Sequence, residues 1–305
     1  MASISVSVPT DRLAEDLADI DGADVFVWKM DAAAPRPRID IVVPPYMAAG
    51  SPLPWLEGVE VGLVQGQSIG YEGIAERLPA GVVFANATTV HEASTAELAV
   101  ALTLTAQRGI DRFVRAQDAR EWRPFQATGL ADRRVMVLGY GGVGKAVAAR
   151  LAPFEVDLVA VASTARDEDG VHVHAVDELP ELLPGVDIVV VTLPGGEQTR
   201  HIVDDAFLSA LPEGALVVNV GRGSLIDTNA LVSHVRTRGI RAALDVTDPE
   251  PLPADHPLWT LDGVVIAPHV GGATDAMHPR VVRLLRRQIS HLLAGEEPEN
   301  VVIRT

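Results

Sequence analysis

Between Arg133 and about Pro268, short Val-rich apolar runs alternate with helix-like stretches. RVMVLGYG is followed by VGKAVAARLAPF, VDLVAVAS, DELPELLPG and VDIVVVTLP. DDAFLSALPEG, ALVVNVGRG, LIDTNALVSHVRTRG, IRAALDVTD and GVVIAPHVGG complete the series. Apolar runs this short, with no polar residue at alternate positions, suit strands buried on both faces. The helical stretches between them suit crossovers that cover a sheet on both sides. The order predicts a doubly wound parallel α/β sheet.

Residues 1 to about 94 repeat the theme more weakly, with DVFVWKM, RIDIVVPP, VEVGLVQG and GVVFANA as strand candidates. They predict a second, smaller α/β domain. HEASTAELAVALTLTAQRGIDRFVRAQ reads as one long helix leading from the first lobe to the second. DAMHPRVVRLLRRQISHLLAGEEP is another helix pattern, with stop signals at Gly295 and Pro298, and the candidate strand VVIRT follows it. Return of this helix and strand to the first lobe would make that domain discontinuous. The expected division is 1–95 with 275–305 for one domain and 96–274 for the other, with two hinge helices beside a cleft.

Composition supports a folded chain of this size. The 305 residues are 48% hydrophobic and 22% charged, which can bury a core and excludes a disordered or low-complexity scaffold. The formal net charge of -16 would repel a phosphate backbone or an anionic bilayer, so neither nucleic acid nor membrane is an expected partner. An anionic ligand would need a locally positive site. Cysteine is absent, which removes disulfides, thiolate metal sites and cysteine nucleophiles. The N-terminal stretch meets charge before any apolar run, and no run approaches the length of a membrane helix. A soluble, cytoplasmic protein is the expectation.

Gly139-Tyr140-Gly141-Gly142-Val143-Gly144 follows a predicted strand and opens a predicted helix. In that setting G-x-G-x-x-G has a mechanism. Gly139 permits the tight turn, Gly141 lets the backbone approach a pyrophosphate, and Gly144 lets helix and strand pack closely. The helix end then presents N–H groups and a positive dipole to the phosphates. A site that prefers NAD places an acid at the end of the second strand, to hold the ribose 2′-hydroxyl. Here that strand ends at Ala162 and is followed by Ser163, Thr164 and Arg166. Two hydroxyls and a guanidinium suit a 2′-phosphate, so the residues favour NADP(H) over NAD(H).

Three ionisable residues stand at later strand ends: Arg222 after ALVVNVG, Glu250 beyond IRAALD, and His269 after VVIAP. A guanidinium can bind a carboxylate and polarise the neighbouring carbonyl. An imidazolium can protonate a developing alkoxide, with a carboxylate beside it to orient the ring. Each also has a structural alternative. Glu250 is a turn residue among prolines, and Arg222 suits an ordinary ion pair.

GYGGVGKAVAARL, TLPGGEQTRHIV, LVVNVGRGSLIDTNAL, AALDVTDPEPLPADHPLW and VVIAPHVGGAT together resemble the D-isomer-specific 2-hydroxyacid dehydrogenase family. The resemblance implies a Rossmann doubly wound sheet inserted into a smaller flavodoxin-like α/β substrate domain. It implies Arg222 as the substrate-orienting arginine, Glu250 as the acidic partner and His269 as the acid/base. Asp245 resembles a residue at the nicotinamide end of the cofactor, and Leu193, Pro194, Thr199, Val220 and Gly271 resemble cofactor-lining positions. QSIGYEGI is similar to the family's substrate loop, with the N–H groups of Ile69 and Gly70 on the substrate carboxylate. Tyr46 and Met47 are candidates for the side-chain pocket, with packing as the alternative. Ile69 and Glu250 depart from the lysine of phosphite-oxidising and the glutamine of formate-oxidising relatives.

The expected activity is hydride transfer from NAD(P)H to a small 2-oxo acid such as glyoxylate or hydroxypyruvate, giving a D-2-hydroxy acid, with no metal required. Two alternatives stand beside it: an NAD-linked D-3-phosphoglycerate-type dehydrogenase, and a nucleotide-sensing, co-repressor-like binding protein. GIDRFVRAQDAREWRPFQATGL resembles the family's dimerisation arm and implies a homodimer.

Overall fold

The computed structural model describes residues 3–47 and 51–305 and divides the chain into two units, Met1–His91 with Asp275–Thr305, and Glu92–Thr274. Unit 1 begins with β1 (Ile4–Val8), α1 (Asp11–Leu17), β2 (Ala23–Val27), β3 (Arg38–Val42), β4 (Glu60–Gln65) and β5 (Val83–Ala85). Strands β3 to β5 fall within the predicted runs, and β2 begins one residue before DVFVWKM. β1 was not among them, because Ser5 and Ser7 interrupt its apolar residues. In the sheet the backbone N–H and hydroxyl of Ser5 each lie 2.8 Å from Asp40 Oδ2 on β3, which satisfies the polar position inside the layer.

Unit 2 contains α2 (Glu92–Arg108), α3 (Ile110–Asp118), β6 (Arg134–Leu138), α4 (Gly142–Leu151), β7 (Asp157–Ala162), β8 (Arg166–Glu168) and β9 (Val171–Ala175). It continues through α5 (Leu179–Leu182), β10 (Ile188–Val191), α6 (Asp205–Ala210), β11 (Leu216–Asn219), α7 (Thr228–Arg238), β12 (Arg241–Leu244) and β13 (Val264–Ile266). The chain then rejoins unit 1 through α8 (Met277–Ala294) and β14 (Val301–Arg304). Gly295 stops α8 in the left-handed conformation at φ 71°, as its position predicts.

Unit 1 orders its strands β14-β5-β4-β3-β1-β2, with β14 antiparallel to β5 and the other pairs parallel. Apart from β14, this is the flavodoxin-like order 2-1-3-4-5. Unit 2 orders its strands β13-β12-β11-β10-β6-β7-β9-β8. The parallel strands from β9 to β12 reproduce the Rossmann order 3-2-1-4-5-6, which reverses direction between β6 and β10.

Burial explains the unbroken apolar runs. Met136, Leu138, Val189 and Val191 pack into one core, whereas Val135, Val137, Ile188 and Val190 pack into another. Alternate residues of β6 and β10 therefore point to opposite faces, and both faces are covered. Each fully buried side chain of this kind contributes about 1.5–3 kcal/mol.

One expectation needs correction. The predicted single helix from His91 is two helices, broken at Gly109, which adopts φ 62°. A Cβ there would lie 2.5 Å from the Phe125 ring, so the aromatic side chain occupies the space beside the break. Arg166, expected only to follow the second strand, begins a short strand of its own. β8 pairs antiparallel with β9 at the edge of an otherwise parallel sheet. The polar run RDEDG that forms this hairpin carries no hydrophobic alternation.

Candidate active site

The turn after β6 has the form its glycines require. Gly139 adopts φ 112°, and a Cβ on it would lie 2.7 Å from the backbone nitrogen of Leu193, so the loops after β6 and β10 are in contact. A Cβ on Gly144 would lie 2.0 Å from the carbonyl oxygen of Gly139, which locks α4 onto the turn. Gly141 is different. Among the described residues, nothing lies within 4 Å of the position its Cβ would take, leaving open backbone beside the first turn of α4. These features fit a dinucleotide pyrophosphate, held by Gly141, Gly142, Val143 and the helix end.

Beyond β7 the structure assembles an ionic cluster. Glu168 accepts from Lys145 Nζ at 2.5 Å and from Arg166 Nε at 3.0 Å. Arg166 Nη2 donates to the carbonyl oxygen of Tyr140 at 3.1 Å, tying the guanidinium to the glycine turn. The bond from Lys145, and then that from Arg166, holds the Glu168 carboxyl below its ordinary range. Ser163 and Thr164 are exposed beside this cluster. Lys145 and Glu168 were missed as site residues, because only the β8 hairpin brings Glu168 back to α4. Ala162 is buried and leaves no acid at the strand end.

Leu193 and Val220 are buried, and Thr199 Oγ1 donates to the exposed Pro194 carbonyl oxygen at 2.8 Å. Arg222 follows β11 on a turn that Asn219 clamps. The buried Asn219 side chain donates to the Arg222 carbonyl oxygen at 2.8 Å and accepts from the Gly221 N–H at 3.0 Å. Asn219 was also missed. Its signal was a polar residue ending the apolar run ALVVN. Gly223 fixes the next contact, because a Cβ on it would lie 1.9 Å from the carbonyl oxygen of Thr247 in the loop after β12.

The loops after β12 and β13 meet through Asp245. Its carboxylate accepts from the N–H groups of Val270 at 2.8 Å and Gly271 at 2.9 Å, and its carbonyl oxygen accepts from the His269 N–H at 2.7 Å. Burial pushes the Asp245 carboxyl up, and the two N–H donors only partly offset it. A Cβ on Gly271 would crowd Oδ2 at 2.8 Å, so this position demands glycine. His269 adopts φ 53° in this tight turn and places Nδ1 2.5 Å from Glu250 Oε1. An ionised carboxylate only accepts, so the bonded Nδ1 carries a proton and Nε2 is left for chemistry. Sheet order makes the loops bearing Arg222, Glu250 and His269 neighbours at the carboxyl ends of β11, β12 and β13.

In unit 1, the loop Gly66–Gly70 is held from behind. Asn86 Nδ2 donates to the Ile69 carbonyl oxygen at 2.8 Å, the Ala87 N–H donates to that of Ser68 at 2.9 Å, and Gln67 Nε2 donates to Pro44 at 2.8 Å. His91 Nε2 lies 2.6 Å from the Gln67 carbonyl oxygen, and the His91 ring stacks on Tyr46 at 5.6 Å. Tyr46 and Gly70 line a cavity of about 180 Å³. Met47 does not line it and is 60% exposed. A larger cavity, about 900 Å³, lies beneath α3 among Arg133, Asp187 and Arg241. It sits at the amino ends of the unit 2 strands, away from the carboxyl ends where such sheets bind ligands.

Turn, cations and imidazole–carboxylate pair share the carboxyl edge of one Rossmann sheet, the arrangement of a dinucleotide-binding oxidoreductase domain. Residues 100–271 match the family described as D-isomer specific 2-hydroxyacid dehydrogenase, NAD binding domain. The chain belongs to that family. It is 32% identical over 246 residues to a glyoxylate reductase of Thermofilum pendens, covering 77% of this chain and 73% of that one. It is 33% identical over 227 residues to a D-3-phosphoglycerate dehydrogenase of Methanocaldococcus jannaschii, covering 73% of this chain but 43% of that longer protein. A crystal structure of a D-isomer specific 2-hydroxyacid dehydrogenase from Xanthobacter autotrophicus Py2, in complex with NADPH and MES, superposes with a TM-score of 0.83 at 28% identity. The match covers 99% of this chain and 98% of that one.

Proposed function

We propose that this protein is an NADP(H)-preferring reductase of small 2-oxo acids in the size range of glyoxylate and hydroxypyruvate, forming D-2-hydroxy acids where a stereocentre results. The observation that carries the reading is the His269–Glu250 pair, on the loops next to that of Arg222 and at the same sheet edge as the glycine turn. The similarity to a glyoxylate reductase supports the substrate class, and the NADPH complex of the Xanthobacter protein supports the cofactor.

Each residue has a chemical task. The N–H groups of Ile69 and Gly70 bind the substrate carboxylate. Arg222 binds and polarises the carbonyl oxygen, so negative charge developing there is stabilised. His269 donates the Nε2 proton to that oxygen as it becomes an alkoxide, and Glu250 holds the ring through Nδ1. A bound reduced nicotinamide supplies the hydride. Hydride to carbon and proton to oxygen balance the conversion of ketone to alcohol. Arg166 and Lys145, with Ser163 and Thr164, take the 2′-phosphate that favours NADP(H).

The reading is tested by a matrix of 2-oxo acids, 3-phosphohydroxypyruvate among them, against NADPH and NADH. Turnover of glyoxylate or hydroxypyruvate with the better kcat/KM for NADPH is expected. Saturable dinucleotide binding with no turnover of any acid would overturn it in favour of a sensor. Preference for 3-phosphohydroxypyruvate with NADH would replace it with the phosphoglycerate type.

We also propose a homodimer formed through α3 and the segment after it. Ile110, Phe113, Val114 and Trp122 leave large apolar surfaces exposed there, Trp122 at 95%. An aromatic anchor left that open suits the centre of a protein interface.

A further inference from the structure

Glu250 stands between Pro249 and Pro251, on a segment outside the helices and strands. Proline locks its own φ, so the chain on either side of the carboxylate is stiff, and its direction depends on what holds the peptide groups ahead of it. Each peptide group is planar, so holding one carbonyl oxygen orients the whole plane that leads to the next Cα. Here two successive oxygens are held by hydroxyls. Thr228 Oγ1 donates to the Asp248 carbonyl oxygen at 2.7 Å, and Thr247 Oγ1 donates to that of Pro249 at 2.9 Å. The two peptide planes that lead into Glu250 are therefore both fixed.

The two bonds differ in origin. Thr247 belongs to the same loop as Glu250, whereas Thr228 is the first residue of α7, 20 positions from Asp248. Asp227 caps that helix by accepting from the N–H groups of Asn229 at 2.9 Å and Ala230 at 3.1 Å, so the backbone at Thr228 is anchored. The branched Cβ of Thr228 limits its χ1, and the hydroxyl is held in direction as well as in place. Gly223 brings the same two loops into contact at Thr247. A further tie to Asp248 comes from Arg200 at 3.7 Å, but half of that arginine side chain is exposed, and an ion pair in such a setting contributes little.

We propose that Thr228 is a positioning residue for the acid/base pair: its hydroxyl aims the segment from Asp248 to Glu250 so that the carboxylate meets His269 Nδ1. This rests on the reading of His269 and Glu250 as that pair. Their side chains are 37% and 41% exposed, so water competes for the bond between them, and it forms reliably only when the carboxylate arrives already placed. Thr228 also closes the loop that carries Arg222, so one stretch of chain places the guanidinium directly and the carboxylate through a hydroxyl. Thr228 itself has no part in hydride or proton transfer.

The test separates the hydroxyl from the shape of the side chain. Thr228→Val keeps the shape and removes the donor, whereas Thr228→Ser keeps the donor. With NADPH and glyoxylate or hydroxypyruvate, kcat of Thr228→Val should fall roughly three- to tenfold, the factor that one hydrogen bond commands, while NADPH affinity stays within about twofold. Thr228→Ser should recover most of the rate. In a Glu250→Ala background the Thr228→Val change should cost less than about twofold, because the group it aims is gone. Thermal unfolding reports whether the variants fold, and Thr228→Ala, smaller and equally without a donor, serves where the valine variant does not. A donor-free variant as fast as wild type, or a loss of the same size with and without the Glu250 carboxylate, overturns this inference and leaves the proposed function standing. No turnover of any acid by the wild-type protein overturns both.

Discussion

His269 Nδ1 and Glu250 Oε1 lie 2.5 Å apart although 19 positions separate them in the chain. The bond fixes which imidazole nitrogen is available, and therefore what each substitution should do. His269→Ala removes the proton donor, and kcat should fall by about 10² to 10⁴. Glu250→Gln keeps an acceptor but loses the charge, and its loss should be smaller and should reshape the pH profile of kcat/KM. Steady-state rates across pH decide the matter. A His269→Ala rate equal to that of the wild type would remove the imidazole from the mechanism.

Asp245 should leave a mark on stability against pH. Burial raises its carboxyl above the ordinary aspartate value of 3.8, so the native state holds this proton more tightly than the unfolded chain. Its stabilising contribution is present below 3.8 and is lost as pH rises through the higher native value. Asp245→Asn abolishes that dependence and also places an amide opposite two N–H donors. Urea midpoints measured from acid to neutral pH should show a flatter slope in the variant at lower overall stability. Parallel curves would contradict the assignment.

The glycines of the turn after β6 should separate binding from folding. Gly144→Ala forces a Cβ to 2.0 Å from the Gly139 carbonyl oxygen and should cost at least the roughly 1–3 kcal/mol typical of overpacking. Gly141→Ala meets nothing within 4 Å, so its stability should stay within about 0.5 kcal/mol of wild type. Dinucleotide affinity should nevertheless fall, because a methyl group then stands where backbone meets phosphate. Calorimetric unfolding and dinucleotide titration of the two variants give the answer together.

The cluster of Lys145, Arg166 and Glu168 should govern cofactor choice. Hydrogen bonds to charged groups contribute about 1.5–3 kcal/mol, so Lys145→Gln or Arg166→Gln should weaken NADPH roughly 10- to 100-fold relative to NADH. Glu168→Gln removes a negative charge next to both cations and should tighten binding of 2′-AMP relative to 5′-AMP. Equal losses with both cofactors would refute the 2′-phosphate role.

Trp122→Ala should shift the sedimentation profile from dimer toward monomer without lowering the unfolding temperature of the separated chain. A wild-type protein that sediments only as a monomer would rule out the proposed association.

What could be read directly from residue order was the architecture. Both-face burial requires unbroken Val-rich runs, a crossover requires a helix pattern between them, and the turn after β6 requires glycine where Gly139 and Gly144 stand. Gly295 marked the end of α8 in the same way, since a left-handed residue there costs little only without a Cβ. These are local demands, each met within a few residues of where it arises. Apart from the Asn219 clamp on its own turn, the arrangements that were not legible are long-range. β1 escaped notice because Ser5 and Ser7 interrupt its apolar run, and the partner that satisfies Ser5 is Asp40, 35 positions away. The Gly109 break depends on the Phe125 ring, and Lys145 meets Glu168 only because the β8 hairpin folds back toward α4. Asp245 and Gly223 set the loops that carry His269 and Arg222 through contacts whose partners lie on loops after other strands. A residue's type limits what it can bond, but which partner reaches it is set by strand order and register, and those exist only after the chain has packed.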